Sequence, residues 1–244
     1  MAKKASSSTR LASYRAKRDF SKSPEPAGKA SAAKRGKPAS TLFFCVQKHL
    51  ASHLHYDFRL EHRGVLLSWA VPKGPSLNPA DKRLAMQVED HPFDYGEFEG
   101  VIPEGYGAGI VMLWDKGTWT PENGDVETAL KKGELKFSLD GVKLKGSWVL
   151  VRTRGSRTGG DKPAWLLIKH HDKWAGPIDV TKAAPLSVKS FGDLDDILAA
   201  DNPDLRESDR PAADGTTGRM LAKIIGRARE KRALANSSPR SRKR

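Results

Sequence analysis

The sequence predicts a mainly β protein: a compact antiparallel β-barrel with a few short helices and disordered basic termini. Between residues 41 and 200, short apolar or alternating runs are separated by turns rich in Gly, Asp and Pro, which is typical of barrels and sandwiches. Segments with helical periodicity are few and short. Both ends of the chain are rich in Lys, Arg, Ser and Ala, a composition that buries too little apolar surface to fold alone.

Composition divides the chain into four segments. Residues 1–40 form a basic and mostly flexible arm, residues 41–200 the β-barrel domain, residues 201–218 a polar linker, and residues 219–244 a basic tail. Apolar residues recur at helical spacing from Gly218 to Ala235 with basic residues between them. This pattern predicts an amphipathic helix that docks on a partner or on nucleic acid.

The positive charge lies in the two ends of the chain. The net charge is +14, yet residues 1–40 carry 11 Lys and Arg against two acidic residues, and residues 219–244 carry 10 against one. Each end therefore has a net charge of +9, and the segment between them has a net charge of −4. Basic ends of this kind attract polyanions with little sequence preference. The alternative is that they only keep the protein soluble.

The predicted elements follow from local patterns. Helices are predicted over Asp125–Gly133, which has acidic residues first and lysines last, and over Ser190–Ala200. Asp140-Gly141 predicts a two-residue hairpin turn of the primed kind. The runs that predict strands are TLFFCVQ, HLHYDFRLE, GVLLSWAV, RLAMQVED, GIVMLWD, GTWTP, ELKFSL, VKLKG, SWVLVRT and AWLLIKH. Five of the six tryptophans and Cys45 fall in such runs, so we interpret them as core residues.

Two features of the sequence bear on the location of the protein. No segment reaches the roughly 18 apolar residues that span a bilayer, and MAKKASSSTR lacks the apolar region of a secretory signal. A single cysteine excludes a disulfide framework and fits a reducing compartment. We expect an intracellular protein with no membrane partner.

One strand carries an unusual polar face. In SHLHYDFRLEH, every second residue from Leu54 to Leu60 is apolar, while His55, Asp57 and Arg59 alternate with them. With the preceding His49, two imidazoles and a carboxylate predict a three-ligand metal site with open positions. A guanidinium beside such a metal binds anions, phosphate above all. The alternative is a polar strand face with satisfied histidines.

A second polar cluster occurs in VEDHP. His91 follows Glu89 and Asp90, so the sequence predicts that these carboxylates favour a protonated imidazole, suited to donating to a phosphoryl oxygen. The alternative is a strand-end turn with solvated charges. Lys73 and Arg83 are isolated cations, for which structural or solvated roles are the default.

Three segments of the sequence resemble the 3′-phosphoesterase domain of the bacterial ATP-dependent DNA ligase D family. They are FFCVQKHLASHLHYDFRLEHRGVLLSWAVPKGPS, KRLAMQVEDHPFDYGEFEGVIPEG, and KLKGSWVLVRT with WLLIKHHD, and the resemblance runs from about Tyr14 to Ala200. It implies a stand-alone version of this domain, a hydrolase active in DNA repair by non-homologous end joining. The implied activities are those of a metal-dependent 3′-ribonucleoside phosphodiesterase and 3′-phosphomonoesterase.

Carried over residue by residue, the resemblance also implies a set of site residues. His49, His55 and Asp57 hold a divalent metal, most commonly Mn²⁺ in the family. Arg59 and His91 contact the scissile phosphate, and Tyr95 assists. Positions that support the site are Gln47, Lys73, Arg83 and Glu89, together with Arg18, Asp19 and Glu25 from residues 14–26, which fold back onto the active site.

The resemblance implies partners and a location as well. The partners are DNA 3′ ends on a primer-template, terminated by a ribonucleotide or a phosphate, together with a DNA ligase or polymerase and end-binding repair proteins. The implied location is the cytoplasm, in association with the nucleoid.

Two other functions fit parts of the sequence. A pair of histidines and a carboxylate on a β-barrel also describe non-haem iron oxygenases, although Arg59, His91 and the basic ends suit phosphate better. The second alternative is a non-catalytic accessory protein that binds DNA ends or a ligase through its basic ends.

Overall fold

The structure, a computed structural model, is a closed antiparallel β-barrel with short helices packed around it. It describes residues 7–28, 42–103, 106–122, 124–153, 164–201 and 216–237. The strands are β1 (Leu42–Leu50), β2 (Leu54–His62), β3 (Val65–Val71), β4 (Arg83–Gln87), β5 (His91–Pro92), β6 (Gly100–Ile102), β7 (Gly109–Pro121), β8 (Glu134–Gly141), β9 (Lys145–Arg152) and β10 (Ala164–Lys169). The helices are α1 (Ser7–Arg10), α2 (Ala12–Ala16), α3 (Val126–Lys132), α4 (Val180–Ala183), α5 (Leu194–Asp201) and α6 (Thr216–Ser237), with a 3₁₀ turn over Phe93–Glu97.

Eight strands close the barrel, which confirms the predicted fold class. The order is β1-β2-β3-β4-β10-β9-β8-β7, and β7 returns to pair with β1. The short strands β5 and β6 pair outside this ring, with β3 and β7 respectively. Closure removes exposed strand edges from the ring, which is how small antiparallel proteins avoid edge pairing.

Large aromatic side chains fill the barrel. Five tryptophans are buried, as the sequence predicts, and Cys45 is also fully buried. Tyr56, Phe58 and Leu60 of β2 point into this core. Because side chains alternate along a strand, Asp57 and Arg59 lie on the outer face of the barrel wall. The tryptophans are Trp69, Trp114, Trp119, Trp148 and Trp165.

The helix prediction for Asp125–Gly133 is confirmed. Helix α3 runs from Val126 to Lys132, the Asp125 carboxylate accepts a hydrogen bond from the Thr128 amide, and Gly133 ends the helix with a φ of 84°. The predicted helix at Ser190–Ala200 is present but begins later, at Leu194.

The predicted hairpin is present between β8 and β9, but its predicted two-residue turn at Asp140-Gly141 is wrong. Asp140 pairs with Lys145, so the connection is longer than two residues and Gly141 still belongs to β8. The buried carboxylate of Asp115 explains the difference, because it accepts hydrogen bonds from the amides of Lys143 and Leu144 at 3.0 and 2.8 Å. The predicted strand VKLKG is mostly this loop, and the predicted runs GIVMLWD and GTWTP form the single strand β7.

The N-terminal arm packs on the outside of the barrel over residues 7–28. Composition alone predicts little order here, but Leu11 and Tyr14 are buried against Val65, Leu66 and Tyr95. The hydroxyl of Tyr14 also donates to the Pro26 carbonyl at 2.8 Å, which closes the arm on itself. A few apolar residues are enough to order this part of the arm because they pack against an apolar patch on the barrel. The rest of the predicted flexible arm lies outside the described residues.

Helix α6 packs its apolar face on the body of the same molecule. Ile224 and Ala228 are buried in the main core, and Met220, Leu221 and Ile225 pack at its edge. The predicted helix is therefore present, but its apolar face is not open to a partner. It starts at Thr216, inside the predicted linker, and residues 202–215 of that linker lie outside the described part of the chain.

No helix in the described part of the chain is both long and apolar enough to cross a membrane.

The docking of α6 predicts unequal effects at two neighbouring positions. We expect Ile224→Ala to lower the free energy of unfolding by about 2 to 5 kcal/mol, because it leaves a cavity in the core. We expect the exposed control Lys223→Ala to change it by less than about 0.5 kcal/mol. Urea denaturation of both variants measures this, and equal stabilities would contradict the packing of α6.

Candidate metal centre

The register between β1 and β2 brings the sequence-predicted ligands together. His49 lies directly opposite His55, and Gln47 lies opposite Asp57. Because directly paired residues in an antiparallel ladder share a face, all four side chains project from the same side of the sheet. The ligand atoms of His49, His55 and Asp57 lie within 4.8 Å of one another.

Each imidazole is oriented by a backbone carbonyl. Nε2 of His49 lies 2.9 Å from the Gly107 carbonyl oxygen, and Nδ1 of His55 lies 2.9 Å from the His53 carbonyl oxygen. A carbonyl only accepts, so in the neutral rings these nitrogens carry the hydrogen. The lone pairs on Nδ1 of His49 and Nε2 of His55 therefore face the cluster. This is how metal-binding histidines are typically held.

The carboxylate of Asp57 completes the cluster. Its oxygens lie 3.5 Å from His49 Nδ1 and 3.8 Å from His55 Nε2. Burial raises the pKa of Asp57, but the positive charge of the Arg59 guanidinium outweighs it and holds the pKa well below its usual range. Burial lowers the pKa of His55, which keeps the ring neutral and able to coordinate.

The donor set fits a divalent cation. Two imidazole lone pairs and an ionised carboxylate oxygen converge on one small volume, and acceptors this close repel one another unless a positive charge lies between them. Three ligands leave further coordination positions open. The same set suits several first-row metals, so the geometry does not select one.

Arg59 is fixed beside the cluster by three partners. Its Nη2 lies 3.2 Å from Asp57, its Nε donates to the Gln47 side-chain oxygen at 2.8 Å, and its Nη1 donates to Ser68 Oγ at 2.8 Å. Gln47 is held in turn by donating to the Tyr95 carbonyl, and the Tyr95 ring lies 4.9 Å from the guanidinium. The guanidinium is buried and has little rotational freedom.

His91 differs from the sequence-based prediction. Burial, Arg59 and Arg18 lower the pKa of His91 well below its ordinary value, so the neutral ring is favoured. The predicted carboxylate neighbours act elsewhere: the Glu89 side chain pairs with Lys17 and Arg18. Glu89 contacts the His91 ring through its backbone carbonyl, which lies 2.8 Å from Nδ1. In the neutral ring Nε2 is therefore a proton acceptor, which lies 3.3 Å from Arg18 Nη2.

Asp90, the other predicted neighbour of His91, lies in a different environment. Burial raises its pKa to about 6, and Arg10 lowers it only in part. Adjacent residues in an extended segment point in opposite directions, which separates Asp90 from the imidazole.

The N-terminal arm places a second buried arginine over the site. The Nε of Arg18 donates to Glu25 at 2.8 Å, its Nη1 lies 3.3 Å from Glu89, and its guanidinium stacks 3.9 Å from the Tyr14 ring. Glu25 and Glu89 are thus the counter-ions of the arm. Together these contacts bring Arg18, Glu25 and Glu89 to the site that the resemblance assigns to them.

Three of the predicted site residues form no hydrogen bond or ion pair with this cluster in the described part of the chain. Asp19 is exposed and its carboxylate accepts hydrogen bonds from the amide and hydroxyl of Ser21. Arg83 pairs with Asp81 at 2.9 Å. Lys73 is exposed and makes no ion pair with any residue that the structure describes. Their assigned roles remain predictions.

Sequence reasoning missed several residues that shape the site. Ser68 anchors Arg59, the Gly107 carbonyl orients His49, and Lys17 pairs with Glu89. A signal existed for Ser68, because a lone serine in the apolar strand VLLSWAV needs a polar partner. A backbone carbonyl gives no such signal. Gly109 is also needed, because a Cβ there would lie 2.4 Å from the Leu50 carbonyl oxygen and 2.9 Å from His49 Nε2.

Fold and site together define a class of protein. This is a closed β-barrel that carries on its outer wall a candidate metal centre beside two arginines with buried side chains, Arg59 and Arg18. Residues 47–152 match the family model described as the DNA ligase D 3′-phosphoesterase domain. The chain therefore belongs to the DNA ligase D 3′-phosphoesterase domain family.

Curated relatives agree with this family. The chain is 48% identical over 238 residues, 96% of its length, to the multifunctional non-homologous end joining protein LigD of Pseudomonas aeruginosa. It is 46% identical over 153 residues, 61% of its length, to the multifunctional non-homologous end joining DNA repair protein LigD of Mycobacterium tuberculosis. The alignments cover 27% and 19% of these relatives, so the chain spans only about a quarter of the first and a fifth of the second.

The environment of His91 predicts its titration. We expect its ring to stay neutral at pH 6, where an imidazole with the ordinary pKa of about 6.5 is mostly charged. Arg18→Met removes a nearby positive charge and should raise the pKa of His91, whereas Lys22→Met, at an exposed position of the same arm, should not. Nitrogen-15 NMR of the imidazole against pH measures both effects. Titration of His91 at the ordinary value in the unaltered protein would contradict this assignment.

Proposed function

We propose that this protein is a divalent-metal-dependent phosphoesterase that processes the 3′ ends of DNA during end joining. Its reactions would be hydrolysis of a terminal 3′-ribonucleoside phosphodiester and removal of a 3′-phosphate. The observation that carries the proposal is the convergence of His49, His55 and Asp57 beside Arg59 in a domain of this family. The names of the relatives place them in non-homologous end joining, which supports the same process here.

The cations around the cluster suit a phosphate ligand. Arg59 and Arg18 are buried cations, and Lys17 lies next to Arg18 at the surface of the arm. Guanidinium groups bind phosphate oxygens in pairs, and burial strengthens the interaction because little water competes. We propose that Arg59 and His91 contact the scissile phosphate and that Tyr95, whose ring packs against both, fixes their positions.

We propose that His49, His55 and Asp57 hold the metal, with Mn²⁺ as the ion used. A divalent ion held by these residues would polarise phosphoryl oxygens and stabilise the charge that develops during hydrolysis. Arg59 contributes donors that are already oriented before the substrate arrives, so little reorganisation is needed in the transition state.

We propose that His91 acts as a proton acceptor. Its Nδ1 is engaged with the Glu89 carbonyl, and Nε2 has a lone pair. A bound phosphate adds negative charge next to the ring, which raises the pKa of the imidazole and lets Nε2 retain a proton that it accepts. Arg18 holds the ring in this orientation, and Glu25 and Glu89 hold Arg18.

The two alternative functions fare differently. The family match of residues 47–152 supports a phosphoesterase and not a non-haem iron oxygenase. The arginines beside the cluster also suit a phosphate better than molecular oxygen. The accessory reading keeps one supporting observation, the basic outer face of α6. An accessory protein would not need intact metal ligands, whereas the proposed phosphoesterase does.

Helix α6 supports DNA as the partner. Basic residues recur at every fourth position of α6 and so lie along one stripe on the helix surface. They are Arg219, Lys223, Arg227 and Lys231. Arg227 and Lys231 pair with Asp195 of α5, which fixes the helix. Arg219 and Lys223 are exposed and pair with no described residue, so they are available to DNA phosphates. A DNA ligase or polymerase and end-binding repair proteins are the further partners that we propose, on nucleoid DNA in the cytoplasm.

Activity on a defined DNA end tests the proposed function. On a primer-template whose primer ends in one ribonucleotide, we expect Mn²⁺ and the unaltered protein to remove the terminal nucleoside and then leave a 3′-hydroxyl. His55→Ala should lower the rate by more than the roughly 100-fold that loss of an outer-shell partner costs, because it removes a metal ligand. Gel analysis of the products measures both steps.

The neighbouring His53 provides the matched control. Its side chain is exposed, and only its backbone carbonyl supports His55, so His53→Ala should keep its activity and metal affinity. Calorimetric titration with Mn²⁺ should show binding to the unaltered protein and to His53→Ala, and much weaker binding to His55→Ala. An inactive protein that still binds DNA would favour the accessory function.

The basic stripe of α6 predicts a change in the salt dependence of DNA binding. Arg219→Gln with Lys223→Gln should reduce the slope of log affinity against log salt by about 2, since each lost phosphate contact removes about 0.9. The control pair Lys131→Gln and Lys132→Gln removes the same charge from exposed positions of α3. Fluorescence anisotropy at several salt concentrations measures the slopes. Equal slopes for the two double variants would exclude a specific role for α6.

A further inference from the structure

One exposed aromatic ring stands at the rim of the metal centre. The other two tyrosines that contact the site, Tyr14 and Tyr95, are almost completely buried, whereas Tyr106 is 45% exposed. A large aromatic side chain that is open to water beside a polar site has unused contact surface.

Tyr106 lies next to several residues of the candidate site. Its neighbour Gly107 supplies the carbonyl that lies 2.9 Å from His49 Nε2. The Nζ of Lys17 lies 4.9 Å from the centre of the Tyr106 ring, and the Cζ of Arg18 lies 5.4 Å from it. Arg18 also reaches His91 at 3.3 Å, so the ring and the proposed proton acceptor share one cation.

We propose that Tyr106 stacks on the base of the 3′-terminal nucleoside and so positions the DNA end over the metal centre. The inference rests on the proposed function, because it assumes that the anion at the site is a phosphate in DNA. Every nucleobase has a flat π face, and aromatic side chains in proteins that bind single strands use it without sequence preference. Lys17 and Arg18 add cations to the same surface.

The proposal separates two reactions that share one metal centre. Hydrolysis of the phosphodiester has a terminal nucleoside as its leaving group, and that nucleoside carries the base. A 3′-phosphate end has no nucleoside beyond the phosphate. Tyr106 is therefore a positioning residue for the first reaction and not for the second. A residue that only held the Gly107 loop would affect both reactions equally, since both need His49.

Binding of two matched primers tests the proposal without depending on catalysis. One primer ends in a single ribonucleotide and the other in an abasic ribose, each annealed to the same template, with chelator present to prevent turnover. For the primer that carries the terminal base, we expect Tyr106→Ala to bind about 5- to 100-fold more weakly than the unaltered protein. Tyr106→Phe should bind like the unaltered protein, because it keeps the ring. For the abasic primer all three proteins should bind alike.

The outcomes separate this inference from the proposed function. Equal weakening of both primers by Tyr106→Ala, or no weakening of either, would overturn the stacking role. Tight base-dependent binding by a protein that cleaves neither primer when Mn²⁺ is restored would uphold stacking and overturn the proposed activity. In an active protein, Tyr106→Ala should lower kcat/KM for the ribonucleotide end and leave removal of the 3′-phosphate within about twofold of the unaltered protein.

Discussion

In the antiparallel register of β1 and β2, His49 faces His55 and Gln47 faces Asp57, and the rest of the site depends on this alignment. A slip by one residue would turn every one of these side chains to the opposite face and place the apolar residues of β2 in solvent. Burial of Tyr56, Phe58 and Leu60 in the barrel core therefore fixes the ligands on the outside. The same energy that folds the barrel thus positions the candidate metal centre.

Buried charge is tolerated at this site because each ion has several partners. Arg59 contacts Asp57, Gln47 and Ser68, and Arg18 contacts Glu25 and Glu89. An isolated ion at such a depth would cost several kcal/mol. The network leaves the neutral His91 between two guanidinium groups, which favours an anion in the space that they face. The arm that carries Arg18 is consequently part of the site as well as a cover for it.

The sequence predicts the features that depend on local pattern. Alternation along SHLHYDFRLEH predicts both the core face and the ligand face of β2, and the caps of α3 follow from Asp125 and Gly133. The fold class also follows, because many short strands with turns leave few other solutions. The site residues that the structure gathers are largely those that a resemblance to a known family implies.

Features that depend on contacts between residues far apart in the sequence could not be predicted. The longer β8–β9 loop exists because Asp115, from another strand, binds its amides. The lowered pKa of His91 results from burial and from Arg59 and Arg18, which are remote in sequence, and not from the adjacent carboxylates. The order of residues 7–28 depends on an apolar patch that exists only after the barrel has formed.

The orientation of His49 rests on a main-chain oxygen, that of Gly107, instead of a side chain. No amino-acid replacement at position 107 deletes that oxygen, so the bond is protected from most single mutations. Insertions and deletions are different, because they move the whole carbonyl relative to the ring. Among variants of this protein, the segment between β6 and β7 should therefore accept changes of side chain more readily than changes of length. The exceptions are Gly107, whose φ of 82° disfavours every residue with a Cβ, and Gly109.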